Sequence, residues 1–249
     1  NKCGNLQSGE KNMGAQPPVT TTSDSRMHKE RGRVKEYVPP ACVLPHEKLG
    51  KSTSGFAFAS NDKFGPFKNQ LLVSDQSHSN VSRVILEKVN GVYQGAAILF
   101  MTGFGSGNIA AQMQPNGTLF VGGTERGWGA KGGKPFALDR VTWTGKVPFE
   151  IHEMRAKPDG FELTFTHEID AITAADPASY SMSAYTYIYR ADYGSPVVDQ
   201  TTPKIVGAEA KGPKTVRLTV DKLIQGSVND VRAKGVRSAK GLPILHPVD

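Results

Sequence analysis

Long apolar runs, clustered cysteines and helical periodicity are what this 249-residue sequence has least of. Its longest apolar stretch, Gly95–Met101, falls far short of the ~20 residues that a membrane helix needs. No helical membrane span is therefore expected. There are two cysteines, Cys3 and Cys42, and neither C-x-x-C nor C-x-x-C-H occurs, which excludes a cysteine zinc site and a c-type haem motif. Both cysteines lie near the N-terminus, and the residues are compatible with one disulfide or with two thiols. No metal site is expected from the sequence. An initiator Met is also missing, and the opening "NKCGNLQSGEKN" has no signal-peptide pattern. The expectation is a processed chain or a fragment of a longer protein.

What is present suits a globular protein: 38% hydrophobic and 21% charged residues, enough to exclude wholesale disorder. Thirty basic against 23 acidic residues leave a net charge of +7. That balance invites a nucleic-acid reading, but its distribution argues against one. The dense basic run is "RMHKERGRVK" (Arg26–Lys35), in a stretch that reads as an extended, solvated arm, and no recognition-helix or aromatic–basic RNA pattern accompanies it.

The chain divides by texture. Residues 1–45 carry "AQPPVTTTSDS" and "YVPPACVLP", where proline fixes φ and disfavours helix before it. From Ser52 onward, short apolar or alternating runs ("SGFAFAS", "NQLLVSD", "VSRVILEKV", "YQGAAILFM") are separated by "NDKFGPFK", "QSHSN" and "NG". The pattern returns about fifty residues later in "NIAAQMQ", "TLFVGGT" and "ALDRVTWTG". A four-strand unit recurring at that spacing suggests propeller blades, of which two cannot close a ring. After Phe149 the text becomes strand, Asp/Gly/Pro turn, strand, with about seven short strands, the pattern of a β-sandwich. "DAITAADPASY" has room for one helical turn capped by Asp170 or Thr173. The fold class expected is all-β with helix below about 15%: an arm over 1–45, about two four-stranded blades over 46–148, and a sandwich over 149–249.

Four residues stand out as candidate ligand contacts. Asp75 and His78 follow "QLLVSD", where a strand meets a loop, and offer acid, base or sugar-binding groups; a polar turn whose Asp caps its own backbone is the alternative. The stretch "GGTERGWGAKGGKP" (residues 122–135) holds six glycines but fits neither a phosphate-binding loop nor a dinucleotide fingerprint, since Lys134 is followed by Pro135 and no helix opens. Its Arg126 and Trp128 suit a carboxylate fork and a stacking platform on a tight glycine frame. Alternatively, Trp128 plugs an interface between structural units. His46 and Glu47 show half of H-E-x-x-H without its second histidine, so a metal reading fails and a surface turn or rim position remains. Tyr185, Tyr187 and Tyr189 alternate onto one face, either a glycan-binding ladder or a buried aromatic face.

The blocks "LPHEKLGKSTSGFAF", "GPFKNQLLVSDQSHSNVSRVILEKVNGVYQG" and "PNGTLFVGGTERGWG" together resemble the closing blades of the glucose/sorbosone dehydrogenase-like β-propeller family. The likeness is to the large secreted versions of planctomycete-type bacteria, often fused to c-type cytochrome modules. "GFELTFTHEIDAITAADPASYSM" resembles the bacterial Ig-like module that trails such propellers. The resemblance spans roughly residues 40–249 and implies an extracytoplasmic protein with Cys3 and Cys42 bonded to each other. It implies that the propeller half carrying the catalytic-base histidine lies outside this chain. Pyrroloquinoline quinone would bind only with that half present. In this family the block matching "LLVSDQSHSNVSRV" supplies basic groups to the quinone carboxylates; here the counterpart is His78, with Arg83 expected on the outer side of the next strand. The function implied for the chain by itself is a non-catalytic carbohydrate- or protein-binding module. A quinone-dependent oxidoreductase acting on a sugar or sugar aldehyde is the alternative once remaining blades or partner chains complete it.

Overall fold

The computed structural model describes residues 25–30, 32–34, 37–190 and 195–246. It is all-β, with 46% strand and 7% helix, and its four antiparallel sheets are open. The first sheet has the order β1-β2-β3-β4, built from Thr53–Phe58, Leu71–Asp75, Asn80–Val89 and Val92–Met101. The β3–β4 hairpin closes on Asn90 and Gly91, with φ of 48° and 82°, and Val89 pairs with Val92. Two consecutive positive φ angles make the turn whose twist matches paired strands, and Asn-Gly is its preferred sequence.

The second sheet has three strands rather than the four expected of a blade: β5 (Asn108–Met113), β6 (Leu119–Thr124) and β7 (Phe136–Val141), in that order. "TWTG" after β7 adds no further strand. Phe64, Phe67, Leu72, Phe100, Leu119 and Val121 form one buried cluster between the first two sheets. Gly55 lets the sheets approach, because a Cβ there would lie 2.7 Å from the Ala110 Cα and 2.8 Å from the Ile109 carbonyl oxygen. The far face of the second sheet stays open, with Phe136 79% and Leu138 73% exposed on the outer strand β7.

Seven further strands form two more sheets. One runs β12-β13-β9-β8, from Ile205–Gly212, Thr215–Val220, Gly160–Phe165 and Ile151–Lys157. The other runs β11-β10-β14, from Val197–Thr201, Ser181–Tyr187 and Val228–Arg232. Phe161, Leu163, Phe165, Val216 and Leu218 from the first meet Met182 and Val231 from the second in a single core. Helix α1 (Met27–Glu30) lies in the arm, and helix α2 (Ala171–Ala175) is capped by Asp170, whose carboxylate accepts from the Thr173 N–H at 2.8 Å. That hydrogen bond holds the Asp170 carboxyl below its usual range.

The halves of the chain are joined by a buried ion cluster. Ile85 and Ile98, from the first sheet, belong to the core of the last two. Beside them, Arg83 is fully buried; its guanidinium donates to Glu150 Oε2 at 3.0 Å, Gln70 Oε1 at 2.6 Å and the Ile151 carbonyl at 2.8 Å. It lies over the rings of Phe67 and Phe100, and His246 Nδ1 meets the other Glu150 oxygen at 2.8 Å. Burial lowers the Arg83 pKa, and the adjacent Glu150 carboxylate opposes that shift. The outward position expected for Arg83 is thus corrected. Its face of β3 is the one shared with Leu72 and Ile98, which turns inward.

The arm also departs from the extended, solvated reading over its described part. Met27 and Tyr37 pack on Tyr189, and Leu44 and Leu49 pack on Val84 of β3. Arg26 donates to both Asp199 oxygens, at 2.6 and 3.0 Å, and Arg33 pairs with Glu30. These bonds tie up two charges of the basic run. Cys42 is half-buried, its thiol 3.8 Å from the Val43 carbonyl. Cys3 lies outside the described residues, and the expected Cys3–Cys42 bond with it.

Candidate functional site

The site begins at the turn between β2 and β3. Asp75 ends β2 at zero exposure, and both its oxygens are taken by backbone: Oδ2 accepts from the Lys51 and Ser52 N–H groups, each at 2.7 Å, and Oδ1 from the His78 N–H at 2.7 Å. This carboxylate organises the turn and the start of β1. It faces no ligand. Gln76, next to it, places its amide nitrogen 3.3, 3.1 and 3.2 Å from the carbonyls of Thr124, Glu125 and Gly129. A single side chain of the turn therefore holds the glycine-rich loop from across the sheets.

The loop between β6 and β7 is clamped along its whole length. The Glu125 N–H donates to the Pro135 carbonyl at 3.1 Å and closes the base. Lys131 N–H reaches the Ser77 carbonyl at 3.1 Å, and Gly132 N–H reaches Ser79 Oγ at 2.9 Å. Position 132 admits nothing larger than glycine without displacement, since a Cβ would lie 2.5 Å from the Phe104 carbonyl oxygen. From this frame Arg126 and Trp128 project outward. Trp128 is 75% exposed, and the Arg126 guanidinium carbon lies 5.1 Å from its ring centroid. Arg126 holds φ at 55°, a left-handed conformation that costs a non-glycine residue about 1–3 kcal/mol and is retained where surroundings over-determine it. Among the described residues Trp128 fills no interface.

The turn and loop thus bring all four sequence candidates to the same end of the first two sheets. Nearby lies a cavity of about 210 Å³, bounded by Lys48, His78, Asn80, Thr102, Phe104 and Lys131, among others; of the four candidates His78 alone lines it. His78 is 9% and Asn80 3% exposed. His78 Nε2 and Asn80 Oδ1 are buried without a hydrogen-bond partner among the described residues. The Asn80 amide nitrogen donates to the Leu49 carbonyl at 3.2 Å, which fixes its flip state and leaves the oxygen as the open acceptor. Lys48 Nζ contacts Asp230 Oδ2 at 3.0 Å at the margin. Asn80 opens the tripeptide "NVS", which carries no signal for a cavity wall. Lys48, Asn80 and Lys131 are separated in sequence, and nothing local links them.

The remaining candidates fall elsewhere. His46 and Glu47 lie in an exposed turn, where Glu47 pairs with Lys51 at 2.7 Å. Tyr185, Tyr187 and Tyr189 are buried, and Tyr185 and Tyr187 pack edge to face at 5.8 Å. Burial raises the phenol pKa values of Tyr185 and Tyr187, as desolvation of a phenolate requires. The described residues contain no group of three or more His, Cys, Asp or Glu side chains arranged to hold a metal ion. No described helix is long and apolar enough to cross a membrane. Comparison of the chain with models of protein families, with curated proteins and with solved structures finds no match.

Proposed function

We propose that the protein is a non-catalytic carbohydrate-binding module that acts outside the cytoplasm, the closing part of a sugar-dehydrogenase-like propeller followed by an Ig-like sandwich. The observation that carries this reading is Trp128. A large aromatic ring, exposed on a loop fastened by Gln76, Ser77 and Ser79, offers an apolar face at low ordering cost. The ring face suits the C–H face of a sugar, and the adjacent Arg126 offers hydrogen-bond donors to its oxygens. We place the remaining blades or a partner chain on the open face of β7, where Phe136 and Leu138 are exposed. The quinone-dependent oxidoreductase reading rests on the resemblance alone. Arg83, the side chain best suited to grip a quinone carboxylate, is fully buried and bonded to Glu150.

The test is calorimetric titration of wild type and Trp128→Ala with a panel of neutral and acidic oligosaccharides. Wild type is expected to bind at least one, and Trp128→Ala to bind it roughly 5- to 150-fold more weakly, the scale of a lost aromatic anchor. The denaturation midpoints of the two should coincide. Silence of the wild type across the panel overturns the reading.

A further inference from the structure

We propose that Asn90, in the two-residue turn between β3 and β4, is a site of spontaneous modification, where the side-chain amide is lost through a succinimide and replaced by aspartate or isoaspartate. The substrate is the chain itself, and the co-reactant is water. Asn-Gly is the dipeptide in which this closure is least hindered, because glycine has no Cβ to obstruct the approach of its nitrogen. The chain contains two such dipeptides, Asn90-Gly91 and Asn116-Gly117. As dipeptides they are identical, and the fold separates them.

The reaction balances within the turn. The Gly91 nitrogen forms a bond to Asn90 Cγ, the Cγ–Nδ2 bond breaks, and Nδ2 leaves as ammonia with the proton shed by Gly91. Water then adds to one of the two ring carbonyls. Cleavage between the nitrogen and Cγ gives aspartate. Cleavage between the nitrogen and the Asn90 main-chain carbonyl carbon gives isoaspartate, with the backbone routed through Cβ and Cγ. A peptide nitrogen is a weak nucleophile because its lone pair is delocalised into the carbonyl. Closure therefore needs an N–H free of other bonds and a side chain free to turn.

Asn90 and Gly91 meet both requirements. Both are exposed at the hairpin tip, and neither the Asn90 side chain nor the Gly91 N–H has a hydrogen-bond partner among the described residues. A Cβ placed on Gly91 would meet nothing within 4 Å, so the turn has open space around it. Asn116-Gly117 is held at the groups that would react. Asn116 Oδ1 accepts from the Thr118 N–H at 3.0 Å, and the Gly117 N–H donates to the Gln114 carbonyl at 2.9 Å. Gly117 is also buried against Lys63, whose carbonyl oxygen would lie 2.5 Å from a Cβ there. That turn must open before its amide can rotate or its nitrogen attack. Either product at Asn90 adds a negative charge to the tip. Isoaspartate also lengthens the main chain of a two-residue turn, and so breaks the register in which Val89 faces Val92.

The experiment is peptide mapping by mass spectrometry of the whole chain, incubated in mildly alkaline heavy-oxygen water, folded and in urea. The heavy oxygen marks conversion that occurs during the incubation, and enzymatic methylation reads isoaspartate. In the folded chain, conversion at Asn90 is expected to run roughly tenfold or more ahead of Asn116, which reacts only from locally opened states. In urea the two rates should converge, because the dipeptides are the same. Asn90→Ala should abolish heavy-oxygen uptake in the peptide that carries the turn. Equal rates at the two sites in the folded chain would overturn the proposal. So would Asn116 reacting ahead of Asn90, or no product at Asn90 over the time in which the chain in urea is converted.

Discussion

At Asp75 three backbone N–H groups, from residues 51, 52 and 78, converge on one carboxylate with no exposure to solvent. Removing it strands all three, and an unsatisfied buried donor costs about 1–3 kcal/mol. Asp75→Ala is therefore expected to lose several kcal/mol of stability in urea denaturation. Asp75→Asn keeps one acceptor oxygen and should lose less. An Asp75→Ala protein as stable as wild type would end this structural role. Asp199 behaves differently because it is exposed. The hydrogen bonds from Arg26 hold its pKa below the ordinary 3.8, against the opposing effect of burial. A depressed carboxylate pKa means that its contribution is present above the ordinary value and lost as pH falls through the folded one. An NMR titration should place the Asp199 midpoint below 3.8, and Arg26→Ala should move it upward.

Between elements, the decisive contacts are a buried charge and a missing Cβ. Arg83 on β3 reaches Glu150 just ahead of β8, at 0% and 2% side-chain exposure. Breaking a buried pair by removing one partner typically costs 3–5 kcal/mol, because the other charge is left desolvated. Arg83→Met should therefore destabilise by about that amount. Arg83→Met combined with Glu150→Gln should cost less than the sum of the single changes, since the two groups are in direct contact. Simple additivity in a denaturant double-mutant cycle would contradict the pairing. At Gly55, where β1 crosses β5, an alanine Cβ would press on the backbone of Ile109, Ala110 and Ala111. Gly55→Ala is expected to cost about 1–3 kcal/mol, as overpacking does. The comparison is Gly91→Ala in the β3–β4 turn, where space is open but φ is 82° and strain alone acts.

Across the whole molecule, the first two sheets do not have a core of their own that is complete. Ile85 and Ile98 are buried against Phe149, Phe161 and their neighbours, and the Arg83 charge is met by Glu150 and carbonyls of residues 151 and 152. A piece comprising residues 46–148 would expose both isoleucines and strand the guanidinium. It is expected to be unfolded or aggregated by circular dichroism and size-exclusion chromatography. A monodisperse, cooperatively folding fragment would show that the joint between the halves is dispensable.

Features set by neighbours along the chain are legible in the amino-acid sequence itself. Asn90 and Gly91 announce a tight hairpin because both tolerate positive φ, and Asp170 announces a helix start because its carboxylate reaches the N–H three residues on. Alternating short runs between such signals determine an all-β chain, with two textures that change near residue 149. The turn at Asp75 and the loop at Trp128 also stand out in the sequence, each by local composition. Tertiary structure alone decided what those residues do. Asp75 proved to be a backbone anchor, Trp128 an exposed ring, Arg83 a buried ion, and the described part of the basic arm a packed segment. It also built a cavity from Lys48, His78, Asn80 and Lys131, which no spacing connects. The physical reason is that backbone conformation depends on near neighbours along the chain, whereas burial, desolvation and the meeting of charges depend on which face of which sheet closes on another. A period-two pattern shows that a strand has two faces, but only packing decides which of them is inside.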